Sequence, residues 1–268
     1  MPSEVFYILT PPDQLPCLRS WDAIPAHPAY RLSSGLRLLR LRRGPAPAGG
    51  MMVLSGCTGE LSGSPVLLCR EIVQECALRG FRGVLLDLER SHLLLSQLVR
   101  LLDDALPRCG VSLFIPEEYA PLAPKARVLV PSAISGGSLA VRLARAVSGF
   151  GAERTVLAVT AEAEDFPLPA PDGCGTALTP EELNQLRQHA CTTVHFSPAL
   201  CAHYFLRRTG GDGLHLVLFD DTGSICRKME VARAAGIRRF LLPWADISVD
   251  PGHFNLLPKH SGVLPEKK

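Results

Sequence analysis

Gly80-Phe81-Arg82-Gly83-Val84-Leu85-Leu86-Asp87-Leu88-Glu89 is an apolar run that ends on two carboxylic acids. A short run of this kind, entered through glycine, reads as a buried strand of a parallel sheet. Side chains alternate along a strand, so Leu85, Asp87 and Glu89 share one face while Val84, Leu86 and Leu88 take the other. Two carboxylates crowded on one face raise the pKa of one of them, which keeps a carboxyl protonated near neutrality. That is the state a general acid needs. The same spacing fits a plainer role, in which Glu89 begins the next helix near Ser91 and Asp87 satisfies backbone amides.

Outward from this run, short apolar stretches alternate with helical patterns. Strands are expected at Val5–Leu9, Leu36–Leu41, Met51–Leu54, Gly83–Asp87, Val111–Ile115, Arg127–Val130, Thr155–Val159 and Phe240–Trp244. Helices are expected at Pro65–Arg79, Leu93–Leu106, Leu139–Val147, Pro180–His189 and Thr222–Ala235. Thr179 before Pro180-Glu181-Glu182 supplies a cap, a first-turn proline and acids at the positive helix end. Gly80 and Gly236 serve as C-terminal stops. Eight strands with helices returning between most of them predict an α/β fold, a compact (β/α)8 TIM-type barrel over residues 1–268 as one domain. The first two crossovers are too short for full helices. Between the seventh and eighth strands, Thr192–Phe196, His203–Arg207 and Leu214–Phe219 read as short strands with a turn at Gly210–Gly213. They predict a small inserted α+β lobe over about 166–219.

A parallel barrel places its chemistry at the C-terminal strand ends. Acids gather there: Asp87 and Glu89 after the fourth strand, Glu117 and Glu118 after the fifth, Glu162, Glu164 and Asp165 after the seventh, Asp246 after the eighth. Loops are polar in any case, but together these acids favour a sugar-compatible mouth over a phosphate cradle. The chain of 268 residues is 47% hydrophobic and 20% charged with a net charge of +2, which is ordinary for a globular core and offers no nucleic-acid arm or membrane-surface patch. Arg37, Arg40, Arg42 and Arg43 read as a solvated strand edge. The nine cysteines are scattered without a C-x-x-C pair, and His195, His203 and His215 lack metal-ligand spacing, so neither a metal nor a cofactor is expected. No signal peptide or membrane-spanning run is read at the start or elsewhere, and a cytoplasmic setting is expected.

Residues 80–89 resemble the DxxDxDxE strand of glycoside hydrolase family 18, the chitinase family. Asp87 and Glu89 match its last two acids; Arg82 and Leu85 replace the first two. Val156–Phe166 resembles the strand and loop that follow in the family, Ala177-Leu178-Thr179 an "ALS"-type segment, and His203-Tyr204-Phe205 a strand of the inserted lobe. Phe219-Asp220-Asp221 through Ser224, Lys228, Gly236 and Trp244 resembles the closing helix and strand. The pattern covers roughly residues 65–250 and is most similar to the spore-cortex, peptidoglycan N-acetylglucosaminidase branch of bacteria.

The resemblance implies substrate-assisted, retaining hydrolysis of a glycan of β-linked N-acetylglucosamine, the carbohydrate being the one partner implied. It implies Glu89 as general acid, Asp87 as the residue orienting the substrate acetamide, and Trp244 as an apolar floor under the sugar. Asp165, Phe166, Glu117 and Glu162 would contact substrate. The chain departs from the pattern after the sixth strand, where Val128–Ser135 holds no tyrosine, and after the seventh, where Glu162-Ala163-Glu164 replaces an aromatic loop. No LysM-like wall-binding module is read ahead of the barrel. Loss of one preorganised hydroxyl costs roughly 2–4 kcal/mol of transition-state binding, by analogy with an oxyanion hole. A glycan-binding or protein-binding pseudoenzyme of the same fold, with a place in sporulation, is therefore the alternative. A third reading, a barrel enzyme for a phosphorylated substrate, rests on Ser135-Gly136-Gly137-Ser138 leading into a helix.

Overall fold

A computed structural model of the chain describes residues 3–41, 47–56, 59–88, 92–170, 173–189, 193–210, 213–248, 250–254 and 256. The strands are β1 (Val5–Leu9), β2 (Ile24–Leu32), β3 (Leu38–Arg40), β4 (Met51–Ser55), β5 (Gly83–Asp87), β6 (Ser112–Pro116), β7 (Arg127–Pro131), β8 (Thr155–Ala158), β9 (Ala163–Leu168), β10 (Thr176–Ala177), β11 (His195–Ser197), β12 (Ala202–Thr209), β13 (Gly213–Phe219) and β14 (Arg239–Pro243). The helices are α1 (Leu15–Leu18), α2 (Pro65–Arg79), α3 (Leu93–Arg108), α4 (Leu139–Phe150), α5 (Pro180–His189), α6 (Thr222–Ala234) and α7 (Trp244–Ile247).

The larger sheet runs β1-β14-β8-β7-β6-β5-β4-β2-β3, and β1 also pairs with β2, so the order returns to its start. This is a closed eight-stranded (β/α)8 barrel, with β3 as a side branch. Between β8 and β14 the chain builds a separate antiparallel sheet, β10-β9-β13-β12-β11, the inserted lobe. Two compact units divide the chain, one of Glu4–Val128 with the stretch from Leu241, the other of Leu129–Phe240.

In the first unit, β4, β5 and β6 pair in parallel, with Met52 opposite Val84 and Val84 opposite Leu113. Met52, Leu54, Val84, Leu86, Leu88, Leu113 and Ile115 form one face and pack against α2 and α3. Helix α2 begins where the Ser64 hydroxyl accepts the Leu67 N–H and Pro65 opens the first turn; Gly80 ends it at φ 66°. Helix α3 buries Leu95, Leu98, Val99, Leu102 and Leu106, the three-and-four spacing of an amphipathic stripe. Each leucine so buried contributes roughly 1.5–3 kcal/mol.

Leu85 and Asp87 lie on the opposite face of β5, which leaves the helices. That face is tight at its entry. A Cβ on Gly83 would stand 2.9 Å from Met51 Cγ and 3.3 Å from Phe114 Cε2. Gly83→Ala is expected to lower stability by about 1–3 kcal/mol, toward the low end because the methionine tail can swing aside. A urea midpoint unchanged from the parent would show that the space is not filled as described.

The second barrel strand corrects the sequence reading. It is Ile24–Leu32, not Leu36–Leu41. Pro25 and Pro28 argue against a central strand, because proline gives no N–H to a ladder. Here β2 pairs in parallel with both β1 and β4, and its register against β4 shifts between His27 and Tyr30, the interval that holds Pro28. Only Leu38–Arg40 of the expected stretch is strand, and it returns antiparallel along β2. Glu71 pins it from α2, accepting both the Leu38 N–H at 2.9 Å and the Arg37 Nε–H at 2.5 Å. Of the arginine cluster, Arg42 and Arg43 lie outside the described residues. The first crossover holds a 3-10 turn at Pro12–Gln14 and the single-turn α1, and among the described residues the second holds no helix.

In the second unit, β12 and β13 form a hairpin, and β13 pairs onward with β9. Phe205, Val217 and Phe219 form its small core, packed with Leu183 and Leu186 of α5. Among the described residues no helix is long and apolar enough to cross a membrane.

Candidate functional site

In the first unit three of the expected site residues stand at C-terminal strand ends. Asp87 is the last residue of β5 and is exposed, although the four residues before it are buried. Its carbonyl accepts the Gly56 N–H at 2.9 Å, which ties the end of β5 to the end of β4. Glu117 opens a short 3-10 turn directly after β6 and is half-buried. Because β5 and β6 are adjacent and parallel, Asp87 and Glu117 emerge at the same end of the sheet. Trp244 follows β14 as the first residue of α7 and is buried. Glu89 lies outside the described residues.

The second unit holds a cavity of about 160 Å³ lined by Ser135, Glu162, Glu164, Phe219, Asp220 and Lys228, among others. Asp220 organises it. Its carboxylate accepts Lys228 Nζ at 2.6 Å, the Ser224 hydroxyl at 2.8 Å and the Glu162 N–H at 3.3 Å. Its own N–H donates to the Glu162 carbonyl at 2.8 Å. The Asp220 and Lys228 side chains are only 3% and 2% exposed, so this is a buried ion pair. Local sequence explains the arrangement. Asp221 and Ser224 form a reciprocal capping box that starts α6, which turns Ser224 back toward Asp220 and places Lys228 one turn further along.

Glu162 is exposed at the cavity rim. Partial desolvation, then the neighbouring Glu164 charge, push its carboxyl above the usual carboxylate range, against a hydrogen bond from Thr160 at 3.3 Å. An acid whose folded pKa is raised favours the fold while protonated. That contribution is present below the ordinary value of 4.5 and is lost as pH rises through the folded-state pKa. Glu162→Gln is therefore expected to flatten the decline of stability with pH just above 4.5, read from urea midpoints across that interval. A slope equal to that of the parent would contradict the assignment.

Asp165 and Phe166 do not stand in a loop. They lie in β9, buried in the lobe sheet. Val217 faces Asp165, and His215 faces Arg207. This register puts Asp165, His215 and Arg207 on one face of the sheet. There Asp165 is ion-paired with Arg207, and His215 Nδ1 lies 3.0 Å from its other oxygen. His203 stacks on Phe219 and meets Asp221 at 3.1 Å. No group of three or more potential metal ligands occurs among the described residues. At the glycine turn before α4, the Leu139 N–H already donates to the Ala199 carbonyl at 2.9 Å, which removes a donor from any phosphate there.

Structure thus joins Glu162 to Glu164, Asp220 and Lys228, and Asp165 to Arg207 and His215. Asp220 and Lys228 were not among the expected site residues. Their signal is the acid before a capping box, with a lysine one turn after the capping serine.

No protein-family model and no curated protein sequence matches the chain. Solved structures do. The spore cortex-lytic enzyme SleL of Bacillus megaterium QM B1551 is 14% identical, with a TM-score of 0.64 over 90% of this chain and 70% of that one. A chitinase from Chromobacterium violaceum ATCC 12472 is 16% identical, with a TM-score of 0.67 over 90% and 93%. The GH18 chitinase of Cycas revoluta, solved with (GlcNAc)3, is 13% identical, with a TM-score of 0.59 over 93% and 97%. At these identities the likeness establishes the fold, that of the GH18 chitinases and cortex-lytic enzymes.

Proposed function

We propose that this chain is a family 18-like glycoside hydrolase acting on β-linked N-acetylglucosamine glycan, peptidoglycan or a chitin-like polymer. The observation that carries the reading is Asp87, an exposed carboxylate at the end of a buried barrel strand, in a fold shared with chitinases. An exposed charge at that strand end costs the core nothing and stands where a parallel barrel places its chemistry. In this reading the substrate acetamide oxygen attacks the anomeric carbon while Glu89 gives a proton to the leaving oxygen. Asp87 orients the acetamide and stabilises the oxazolinium ion that forms. Glu89 then takes a proton from water, which opens the oxazolinium ring from the opposite face. Two inversions give net retention. Of the other expected contacts, Glu117 emerges beside Asp87 and stays in this reading, whereas the side chains of Trp244, Asp165 and Phe166 are buried and present no face to a sugar. The likeness to the spore cortex-lytic enzyme supports a place in cortex or wall turnover.

The second reading is a glycan-binding protein that does not cut. It is favoured by the absent tyrosine after β7 and by Asp165, which is held by Arg207 and His215. Chitotetraose incubated with the chain and resolved by chromatography separates the two. Shorter products support the hydrolase; saturable binding by calorimetry without products supports the second reading. Neither cutting nor binding would overturn both.

A further inference from the structure

The cavity of the second unit lies past the C-terminal ends of β7 and β8, between Ala133, Ile134 and Ser135 after the first strand and Glu162 and Glu164 after the second. Its volume of about 160 Å³ is that of roughly five waters at about 30 Å³ each, room for about one sugar ring. The lining is of two kinds. Ala133, Ile134 and Leu218 are half-buried and bring hydrocarbon to the space. Ser135 and Glu162 are exposed and Glu164 is half-buried, so their polar groups can be reached. Such a mixture suits a molecule with C–H faces and hydrophilic edges.

The charge in this lining is unbalanced. Asp220 and Lys228 cancel in their buried pair. Glu162 and Glu164 are left over, two residues apart in the chain and facing the same space. Lys228, already held by Asp220, is the one positive charge that acts on Glu162 among the described residues. Glu164 has no hydrogen bond or ion pair among the described residues. Each glutamate opposes the ionisation of the other, and a cation between them would relieve that cost. A metal ion would want a third such ligand, and no suitable group of three is gathered among the described residues. An ammonium group has three N–H donors, which two carboxylates and the Ser135 hydroxyl can accept.

Resting on the glycan reading, we infer that this cavity takes a sugar whose amino group is free, so that the substrate is a partly de-N-acetylated glycan. The ammonium lies between Glu162 and Glu164, with the ring against Ile134 and Leu218. The sugar whose acetamide reacts is another unit of the same polymer, since a free amine has no carbonyl oxygen with which to attack.

Calorimetry of the full chain compares the glucosamine tetramer, at a pH where its amines are ammonium ions, with chitotetraose. The free-amine oligomer is expected to bind roughly tenfold tighter or more, the worth of one hydrogen bond to a charged group. High salt should shrink that gain. Glu164→Gln keeps the size of the side chain and should abolish the preference, with far-ultraviolet circular dichroism unchanged. Three results would each overturn the inference alone: chitotetraose bound or cut with no preference for the free amine, a preference that survives Glu164→Gln, or spermine bound as tightly as the glucosamine tetramer, which would mean a bare acidic surface. Binding of neither oligomer would overturn the glycan reading and this inference with it.

Discussion

Glu89→Gln is expected to lower turnover of a chromogenic chitobioside by about 10²–10⁴-fold, the usual contribution of a positioned proton donor. Glutamine keeps the size of the side chain and its hydrogen-bonding capacity but cannot release a proton to the departing oxygen. Affinity for an uncleaved chitooligosaccharide should therefore stay within a few-fold of the parent while the rate falls. Asp87→Asn makes the complementary test. Asp87 acts on the acetamide rather than on the leaving group, so its loss should slow substrates with poor and good leaving groups alike. The Glu89 defect should shrink with a good leaving group, which departs without a proton. Activity that survives Glu89→Gln undiminished would remove Glu89 from the role of acid.

Lys228→Met is expected to cost about 3–5 kcal/mol of stability, the penalty for leaving one member of a buried ion pair alone. Asp220 and Lys228 meet at 2.6 Å with almost no exposure, so water cannot replace the lost partner. A loss of that size is a large part of the roughly 5–15 kcal/mol that holds a domain folded. The double change Asp220→Asn with Lys228→Met should recover part of it, because asparagine carries no charge and its one amide oxygen can still accept from Ser224. Equilibrium urea unfolding measures both. A Lys228→Met midpoint close to the parent would show that the pair is solvated.

Much of the barrel was legible because its strands announce themselves as short apolar runs closed by acids or proline. β5 is the clearest case, where alternation correctly sent Val84 and Leu86 to the helices and Leu85 and Asp87 to the other face. The helices were as clear: Pro65–Arg79 and Pro180–His189 match their expected bounds, because proline starts and glycine or polar stops are local signals. β2 was illegible for the opposite reason. Its two prolines are tolerated through a register shift that depends on β4, a partner outside the local sequence. Leu36–Leu41 misled because Leu36 is apolar for a different purpose: it is fully buried at φ 49° in the turn before β3 rather than within a strand.

The site was legible unevenly. Asp87 could be placed from the pattern of one strand. Asp165 could not, since its partners Arg207 and His215 reach it only through the pairing of β9, β13 and β12, more than 40 residues away in sequence. Lys228 was hidden because a lysine on a helix ordinarily marks the solvent face. Only the fold reveals that this one is buried against an acid.

The central claim, that the substrate's own acetamide is the nucleophile with Glu89 and Asp87 on either side of the step, is tested most directly by the stereochemistry of the first product. Proton NMR of chitotetraose, recorded within minutes of adding the chain and before mutarotation, should show the β-anomer at the new reducing end. Fresh α-anomer would mean direct attack by water and would contradict the account, as would the absence of any new reducing end.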